Sequence, residues 1–185
     1  MKSSIALIIL AALCFLTLTP QISLGAVYTA GEINPTDNTS GFVLTGVITN
    51  FILTSTIIIE DPMRDKIDQV RIEPPAGFLV PKDSVSKVSF AIEGEIEGVE
   101  VKTNATEILI KFPNSISISR YLIVIFHVTS PPIPTGQAEF KVKYLNNLGE
   151  IITELDSANV DSIPNNNNSL TVTVLPNQNN AAIEV

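Results

Sequence analysis

Apolar and polar residues alternate with a period of two along most of the chain from residue 68 onward. In "DQVRIEP", Val70 and Ile72 alternate with amide and charged side chains. The same alternation recurs in KVSFAIEG (87–94), VEVK (99–102), EILIKF (107–112), EFKVKY (139–144) and LTVTVL (170–175). A strand that buries one face has this pattern, and the proline, glycine and asparagine residues between the segments mark turns. The pattern therefore predicts antiparallel strands and no helix.

One segment departs from this alternation. Residues 120–128, "RYLIVIFHV", place six consecutive apolar side chains between an arginine and the single histidine, His127. Apolar residues on both faces are typical of a central strand in a sheet that is covered on both sides. We therefore predict that Ile123, Ile125 and Phe126 are buried, and that a loop, the N-terminal segment or a partner covers the second face.

A second apolar segment precedes the alternating region. Residues 42–59, "FVLTGVITNFILTSTIII", contain no charge over 18 positions, which is long enough for a transmembrane helix. Valine, isoleucine and threonine dominate it, however, and these residues favour strands. We predict two strands with a break near Asn50, and the transmembrane helix is the alternative.

Strands that recur about every ten residues, with turns between them, are typical of a β-sandwich. We predict an all-β, immunoglobulin-like or jelly-roll-like antiparallel sandwich of about eight to ten strands. The sandwich domain is expected to span residues 42–176. The polar segment 26–41 is predicted to be a flexible N-terminal arm, and 177–185 a flexible tail.

The first residues have the layout of a cleaved secretory signal. Lys2 is their only charge, Ile5 to Leu18 form an apolar stretch, and small residues occupy the −3 and −1 positions before Ala26. We predict that residues 1–25 are a signal peptide and that the mature protein is secreted, extracellular or at the cell surface, without a membrane span. An uncleaved anchor is the alternative, although the apolar stretch is short for a bilayer.

Charge and rare residues exclude several functions. After removal of 1–25 the chain has ten basic and nineteen acidic residues, a net charge of −9, which argues against nucleic acid. The single cysteine, Cys14, lies in the signal, so the mature chain has no disulfide and no thiolate site. With one histidine, every serine-based triad would need His127, which lies within a core strand. We predict no catalytic residues, no enzyme activity and a structural role for His127.

Two acidic segments, residues 60–68 and 156–161, are candidates for calcium, because this cation binds several loop oxygens. Neither has the spacing of an EF-hand, and a solvated acidic loop is the alternative. No other cofactor is expected. The candidate ligands are Asp61, Asp65, Asp68, Asp156, Asn159 and Asp161.

Three acceptor sequons for N-linked glycosylation begin at Asn38, Asn104 and Asn167. All three lie in predicted loops of a chain that is predicted to be secreted, where glycans can be attached. They are candidate modification sites.

Residues 106–144, "TEILIKFPNSISISRYLIVIFHVTSPPIPTGQAEFKVKY", run as strand, turn, apolar strand, Pro/Gly loop and strand. This segment resembles the later half of the immunoglobulin-like and cohesin-like sandwiches of prokaryotic extracellular proteins. The tryptophan and paired cysteines of antibody-type domains are absent. The resemblance implies an extracellular binding or structural module, and it transfers no functional residue to this chain.

We therefore expect a secreted, non-enzymatic structural or adhesion module that contacts a protein or polysaccharide at the cell surface through loops or sheet edges. A carbohydrate-binding or cohesin-like recognition domain is one alternative. The lack of tryptophan, with tyrosine at 28, 121 and 144 alone, counts against an aromatic sugar platform. The other alternative is a self-associating filament subunit in which residues 26–41 complete the sheet of a neighbour.

Overall fold

The computed structural model describes residues 26–36, 42–155 and 171–175. These ranges contain thirteen β-strands and no helix. The strands are β1 (Val27–Pro35), β2 (Phe42–Leu44), β3 (Ile48–Ile59), β4 (Ile67–Glu73), β5 (Val85–Phe90), β6 (Gly94–Glu95), β7 (Glu100–Asn104), β8 (Glu107–Ile116), β9 (Arg120–Thr129), β10 (Gly136–Glu139), β11 (Lys141–Leu145), β12 (Ile151–Glu154) and β13 (Thr171–Leu175). The predicted all-β fold is confirmed, and each alternating segment contains a strand.

Two five-stranded sheets form the sandwich. The first has the strand order β1-β3-β9-β5-β6 and the second β12-β11-β4-β8-β7, and neighbouring strands in both are antiparallel. A small third sheet has the order β10-β13-β2, in which β13 runs antiparallel to β10 and parallel to β2. Because β2 leads into β3 and β10 leads into β11, the strand β13 links the two large sheets.

The core lies between the two large sheets and centres on aromatic rings. Phe51 of β3 and Phe126 of β9 stack with ring centroids 5.7 Å apart. Phe140, between β10 and β11, packs against them at 5.1 Å and 6.0 Å. All three side chains are fully buried. Aromatic contacts at these distances add to the free energy gained from burying the rings.

One hydrogen bond crosses the core from sheet to sheet. The hydroxyl of Tyr144 on β11 donates to Oγ of Ser55 on β3 over 2.5 Å, and both residues are fully buried. Burial raises the pKa of Tyr144 well above its ordinary value, and the bond to Ser55 offsets part of that effect. The phenol is therefore neutral, and its hydroxyl has the partner that a buried polar group requires.

Two strands occupy residues 42–59, as predicted, but the break lies elsewhere. It falls between β2 and β3, where Gly46 has a φ of 67°. Asn50 lies within β3, opposite His127. The prediction of a break near Asn50 was wrong, because the left-handed turn at Gly46 separates the strands. The alternative of a transmembrane helix is also wrong here, and among the described residues no helix is long and apolar enough to cross a membrane.

The predicted flexible arm is in large part a strand. β1 pairs with β3 in continuous register from Val27 opposite Ile59 to Pro35 opposite Phe51. The prediction of a flexible segment was wrong for β1, because this polar sequence also contains side chains that are buried on the core side of the sheet, Ile33 and Pro35. The remainder of the predicted arm from residue 37 to 41, the signal 1–25 and the tail 177–185 lie outside the described residues.

The pairing of β1 with β3 is unusually close at one glycine. A Cβ placed on Gly31 would lie 2.1 Å from the carbonyl oxygen of Thr54 and 2.9 Å from Cα of Ser55. No side chain fits at that distance from backbone atoms. Glycine therefore allows β1 to lie at its position on the sheet.

The strand β9 does alternate in the folded chain. Leu122, Val124, Phe126 and Val128 are buried, and the residues between them are half-buried or exposed. The prediction was right for Phe126. It was wrong for Ile123 and Ile125, whose side chains lie half-buried on the outer side of the sheet.

Replacing Phe126 with alanine should lower the free energy of unfolding by about 3–5 kcal/mol, because the change leaves a cavity beneath two aromatic neighbours. Tyr121→Ala, on the outer side of the same strand, is the matched control and should cost less than about 1 kcal/mol. Urea unfolding followed by circular dichroism measures both values. Equal losses for the two variants would contradict the assignment of Phe126 to the core.

Tyr144→Phe should cost about 1–2 kcal/mol at neutral pH, because it removes the hydrogen-bond partner of Ser55. The folded-state pKa of Tyr144 is raised. The stability from its neutral phenol is therefore complete below the unfolded pKa of about 10 and is lost as the pH rises above it. The variant should lose less stability than the wild type between about pH 8 and about pH 11 in urea titrations. Identical losses would show that Tyr144 does not govern alkaline unfolding.

Candidate functional site

The outer side of the first sheet carries few charges. Along β3 and β9, Ile52 lies opposite Ile125, Thr54 opposite Ile123, and Thr56 opposite Tyr121. On the β1 side, Tyr28 pairs with Ile58. We call this surface the uncharged face and define it by these residues: Tyr28, Ile52, Thr54, Thr56, Ile58, Tyr121, Ile123 and Ile125.

Ionisable side chains lie at the margins of the uncharged face. Glu32 on β1 is opposite Thr54, Lys87 on β5 is opposite Ile125, and Glu95 on β6 is opposite Ser89, so two acids and one base flank the centre. His127 follows Ile125 on the outer side of β9. The two tyrosines are the most exposed members, with 54% of Tyr28 and 43% of Tyr121 accessible. The centre of the face is thus free of ionisable side chains, which lie on the flanking strands.

The outer side of the second sheet has the opposite character. Lys143 on β11 binds both carboxylate oxygens of Glu73 on β4, at 2.8 Å and 3.0 Å. Arg71 lies 3.5 Å from Glu107 on β8. Strand pairing places further charged residues on the same side: Glu100, Lys102, Lys111, Lys141 and Glu154. We call this surface the charged face. Its side chains are well hydrated, whereas the apolar side chains of the uncharged face are not.

An apolar cavity of about 250 Å³ extends the uncharged face at the end where β3 stops. Its lining includes Ile58, Tyr121 and the β5–β6 turn, where 94% of Ile92 is exposed. Arg120 at its rim forms an ion pair with Glu93 and lies 5.4 Å above the ring of Phe90. The charge of Arg120 is therefore balanced within the chain, and the cavity remains an apolar extension of the face.

The sequence did not predict the uncharged face, because a run of consecutive apolar residues does not show whether one or both sides of a strand are covered. We expected both sides of β9 to be covered, since Leu122 to Phe126 are all apolar. The structure covers one side with the second sheet and leaves Ile123 and Ile125 half-open. The available signal was the combination of two apolar segments, 42–59 and 120–128, that pair with each other.

Three of the calcium candidates, Asp61, Asp65 and Asp68, lie in the described part of the chain, between the end of β3 and the start of β4. Oδ1 of Asp61 accepts a hydrogen bond from the backbone N–H of Met63 at 3.0 Å, which closes a local turn. Oδ1 of Asp68 accepts one from Ser115 at 2.6 Å, and Asp65 makes no side-chain hydrogen bond through its buried Oδ2. Within the described ranges, no three His, Cys, Asp or Glu side chains come together as a metal site.

Asn104 is an exposed sequon residue at the turn between β7 and β8. Its Oδ1 accepts hydrogen bonds from the backbone N–H groups of Thr106 and Glu107, at 2.9 Å and 3.0 Å. Its Nδ2 donates to the carboxylate of Glu107 at 2.8 Å. The structure therefore places this asparagine at an open hairpin turn. The other predicted site residues lie outside the described ranges: Asn38, Asp156, Asn159, Asp161 and Asn167.

A polar cleft of about 510 Å³ lies on the second sheet, between residues 64–68, where β4 begins, and the β11–β12 turn. Its lining includes Asn146 and Asn147 but no aromatic side chain. Oδ1 of Asn146 already accepts bonds from the N–H groups of Leu148 and Glu150, at 2.9 Å and 3.0 Å. A sugar would find no aromatic stacking platform there, and the side-chain carbonyl of Asn146 is already occupied.

No family model matches this chain, and no curated protein matches it in sequence. Among solved structures, the pilus backbone of Streptococcus pneumoniae is similar with a TM-score of 0.48 and 12% identity, over 64% of this chain and 31% of that one. The major pilin of Bacillus cereus gives 0.44 and 14%, over 81% and 40%. The collagen-binding domain of a Staphylococcus aureus adhesin gives 0.40 and 7%, over 70% and 93%.

The chain spans about a third of the length of the pneumococcal pilus backbone. At these identities the likeness concerns the fold alone, and the binding or assembly of those proteins does not transfer to this chain. The two sheets themselves confirm the predicted all-β antiparallel sandwich, and the resemblance of residues 106–144 to immunoglobulin-like and cohesin-like modules stays a prediction.

His127 lies on the outer side of β9, opposite Asn50, and its backbone N–H donates to the carbonyl of Ser84 at 2.7 Å. That bond does not depend on the side chain. His127→Gln should therefore change the free energy of unfolding by less than about 0.5 kcal/mol, since half-exposed positions tolerate substitution. Thermal and urea unfolding measure this, with Val128→Ala as the core control on the same strand. A loss above that limit would mean that the imidazole stabilises the sheet.

Proposed function

We propose that the protein is a secreted, non-enzymatic structural or adhesion module of the cell surface, and that it makes protein–protein contacts through the uncharged face. One observation carries this proposal. The two outer sides of the sandwich have the same strand architecture, yet one is covered with charged residues in ion pairs and the other is covered with isoleucine, threonine and tyrosine. Apolar side chains that lie side by side on a protein surface are a common place for contact with a partner.

The energetics of the face favour a protein partner. Burying apolar surface contributes about 25 cal/mol per Å², and flat rows of β-branched side chains pack well against another such surface. Few hydrogen bonds to water would be lost in the contact, because the threonine hydroxyls are the hydrogen-bonding side-chain groups at the centre of the face. The expected contact through loops or sheet edges is therefore revised to contact through a sheet face.

Polysaccharide is a poorer match for this face. Sugar recognition uses several directed hydrogen bonds together with exposed aromatic rings. At the centre of the face, beside Ile52 and Ile125, the nearest hydrogen-bonding group is the hydroxyl of Thr54. The two tyrosines lie toward one end of the face. Strand donation by residues 26–41 is also disfavoured, because β1 would have to leave β3 first.

Secretion through residues 1–25 and glycosylation at Asn104 belong to the same proposal. Asn104 lies on the turn that joins β7 to β8, in the second sheet, so a glycan there would extend from the side away from the uncharged face. A modified molecule would keep that face open.

The proposal predicts that fluorescently labelled mature protein binds intact cells of the producing organism. Thr54→Glu should weaken binding by at least about tenfold, equivalent to 1.4 kcal/mol, because a charge would be buried in the contact. Gln69→Glu, on the outer side of β4, makes the same charge change on the charged face and should leave binding unaltered. Flow cytometry over a concentration series measures the affinities.

Equal binding by wild type and Thr54→Glu would contradict the use of the uncharged face. Loss of binding in Gln69→Glu alone would assign the contact to the opposite sheet. Both variants change half-exposed positions outside the core, and their thermal unfolding serves as the control for folding.

A further inference from the structure

The loop between β3 and β4 contains the one Asp–Pro pair of the sequence, Asp61–Pro62. The peptide bond that joins these residues is a tertiary amide, because the nitrogen of proline carries no hydrogen. That nitrogen is more basic than an ordinary peptide nitrogen, and it leaves more readily once it is protonated. The carboxylate of the aspartate can also reach its own carbonyl carbon through a small, unstrained ring. One peptide bond thus has a nucleophile and a leaving group attached to it.

The fold holds the carboxylate of Asp61 beside this bond. Oδ1 of Asp61 accepts a hydrogen bond from the backbone N–H of Met63 at 3.0 Å. The ring that this hydrogen bond closes includes the peptide bond between Asp61 and Pro62, as in other aspartate turns. The carboxylate is therefore kept close to the amide that it would attack. Pro62 and Met63 are exposed, so water reaches the same bond.

The same turn polarises the carbonyl group of Asp61. Its oxygen accepts two backbone hydrogen bonds, from the N–H of Arg64 at 3.1 Å and from the N–H of Asp65 at 2.9 Å. Two backbone donors on one carbonyl oxygen stabilise the negative charge that develops there when a nucleophile adds to the carbon. The turn therefore supplies this stabilisation at the bond that the carboxylate adjoins.

The charged groups around this turn belong to the loop itself. Nε of Arg64 lies 4.0 Å from Oδ2 of Asp61 in an exposed ion pair. The loop also contains Glu60, Asp65 and Lys66. The elements that bond to the start of the loop contribute no charge. The N–H of Glu60 donates to the carbonyl of Ala26, and the N–H of the last residue of β3 donates to Oγ of Ser119, both at 3.2 Å.

We propose that the Asp61–Pro62 bond is a self-cleavage site. The ionised carboxylate of Asp61 adds to its own carbonyl carbon, the bond to the Pro62 nitrogen breaks, and that nitrogen takes a proton from the solvent. The first product is a cyclic anhydride at Asp61, which one water molecule opens to two carboxyl groups. The net reaction is the hydrolysis of one peptide bond, with water as the co-reactant.

Cleavage at this bond leaves the sandwich assembled. The first part of the chain carries β1, β2 and β3, and the second part carries β4 to β13. The strand β3 stays paired with β9 from Ile48 to Ile57, and Phe51 stays stacked on Phe126. The product is a two-chain sandwich in which the covalent connection from β3 in the first sheet to β4 in the second is cut.

Mass spectrometry of the mature protein, incubated at about pH 5 and at about pH 7, tests the proposal. We expect two fragments, 26–61 and 62–185, that separate in a denaturing gel and migrate together in a native gel. Cleavage should be faster at the lower pH, because the leaving nitrogen must be protonated. Asp61→Asn and Pro62→Ala should each slow it by at least about tenfold. Asp65→Asn makes the same charge change in the same loop and should retain the wild-type rate.

A synthetic peptide of residues 56–66 separates the contribution of the fold from that of the sequence. The folded protein should cleave at least about tenfold faster than the peptide in the same buffer, because the turn positions both reacting groups. Hydroxylamine should capture the anhydride as a hydroxamate on fragment 26–61. Circular dichroism of the variants serves as the control for folding.

Three results would overturn the proposal. A protein that stays intact at both pH values, or that is cleaved no faster than the peptide, would show that the turn does not promote the reaction. Cleavage of Asp61→Asn at the wild-type rate would remove the carboxylate from it. Fragments without any hydroxamate would mean that water attacks the bond directly.

Discussion

The register between β3 and β9 decides both the inside and the outside of this sandwich. Ten residue pairs run without a bulge from Ile48 opposite Thr129 to Ile57 opposite Arg120. Because side chains alternate, a slip of one residue on one strand would move its buried set to the outer side. A slip of β3 would take Phe51 out of the core, and a slip of β9 would take out Phe126. The same register that stacks those rings also assembles the uncharged face on the reverse of the sheet.

The outer sides of the two large sheets differ in the residues that they expose. An antiparallel sheet with one buried side must present its other side to something. The second sheet presents ion pairs such as Lys143 with Glu73, which suit water although each contributes little to stability. The first sheet presents branched apolar residues, which suit another protein surface. The excess negative charge of the whole chain then limits indiscriminate aggregation through that apolar surface.

Much of the fold could be predicted from the sequence, because a strand with one buried side shows alternating apolar and polar residues. Val70 with Ile72 and Phe140 with Val142 are buried as that pattern indicates. Two features escaped it for physical reasons. The strand β1 is polar, and it can lie beside β3 only because Gly31 has no side chain. This requirement becomes visible only in the structure, where Gly31 lies against the backbone of Thr54. The uncharged face was not predicted because a run of apolar residues does not show how many sides of the strand are covered.

The strand β13 has a consequence for how the chain acquires its structure. It pairs in parallel with β2, so that Phe42 meets Thr173 across 131 positions of sequence. Contacts between such distant segments form slowly, because a long loop must close before they contribute any free energy. We therefore expect the sandwich to close through β13 late in folding, after strands that are near in sequence, such as β7 and β8, have paired.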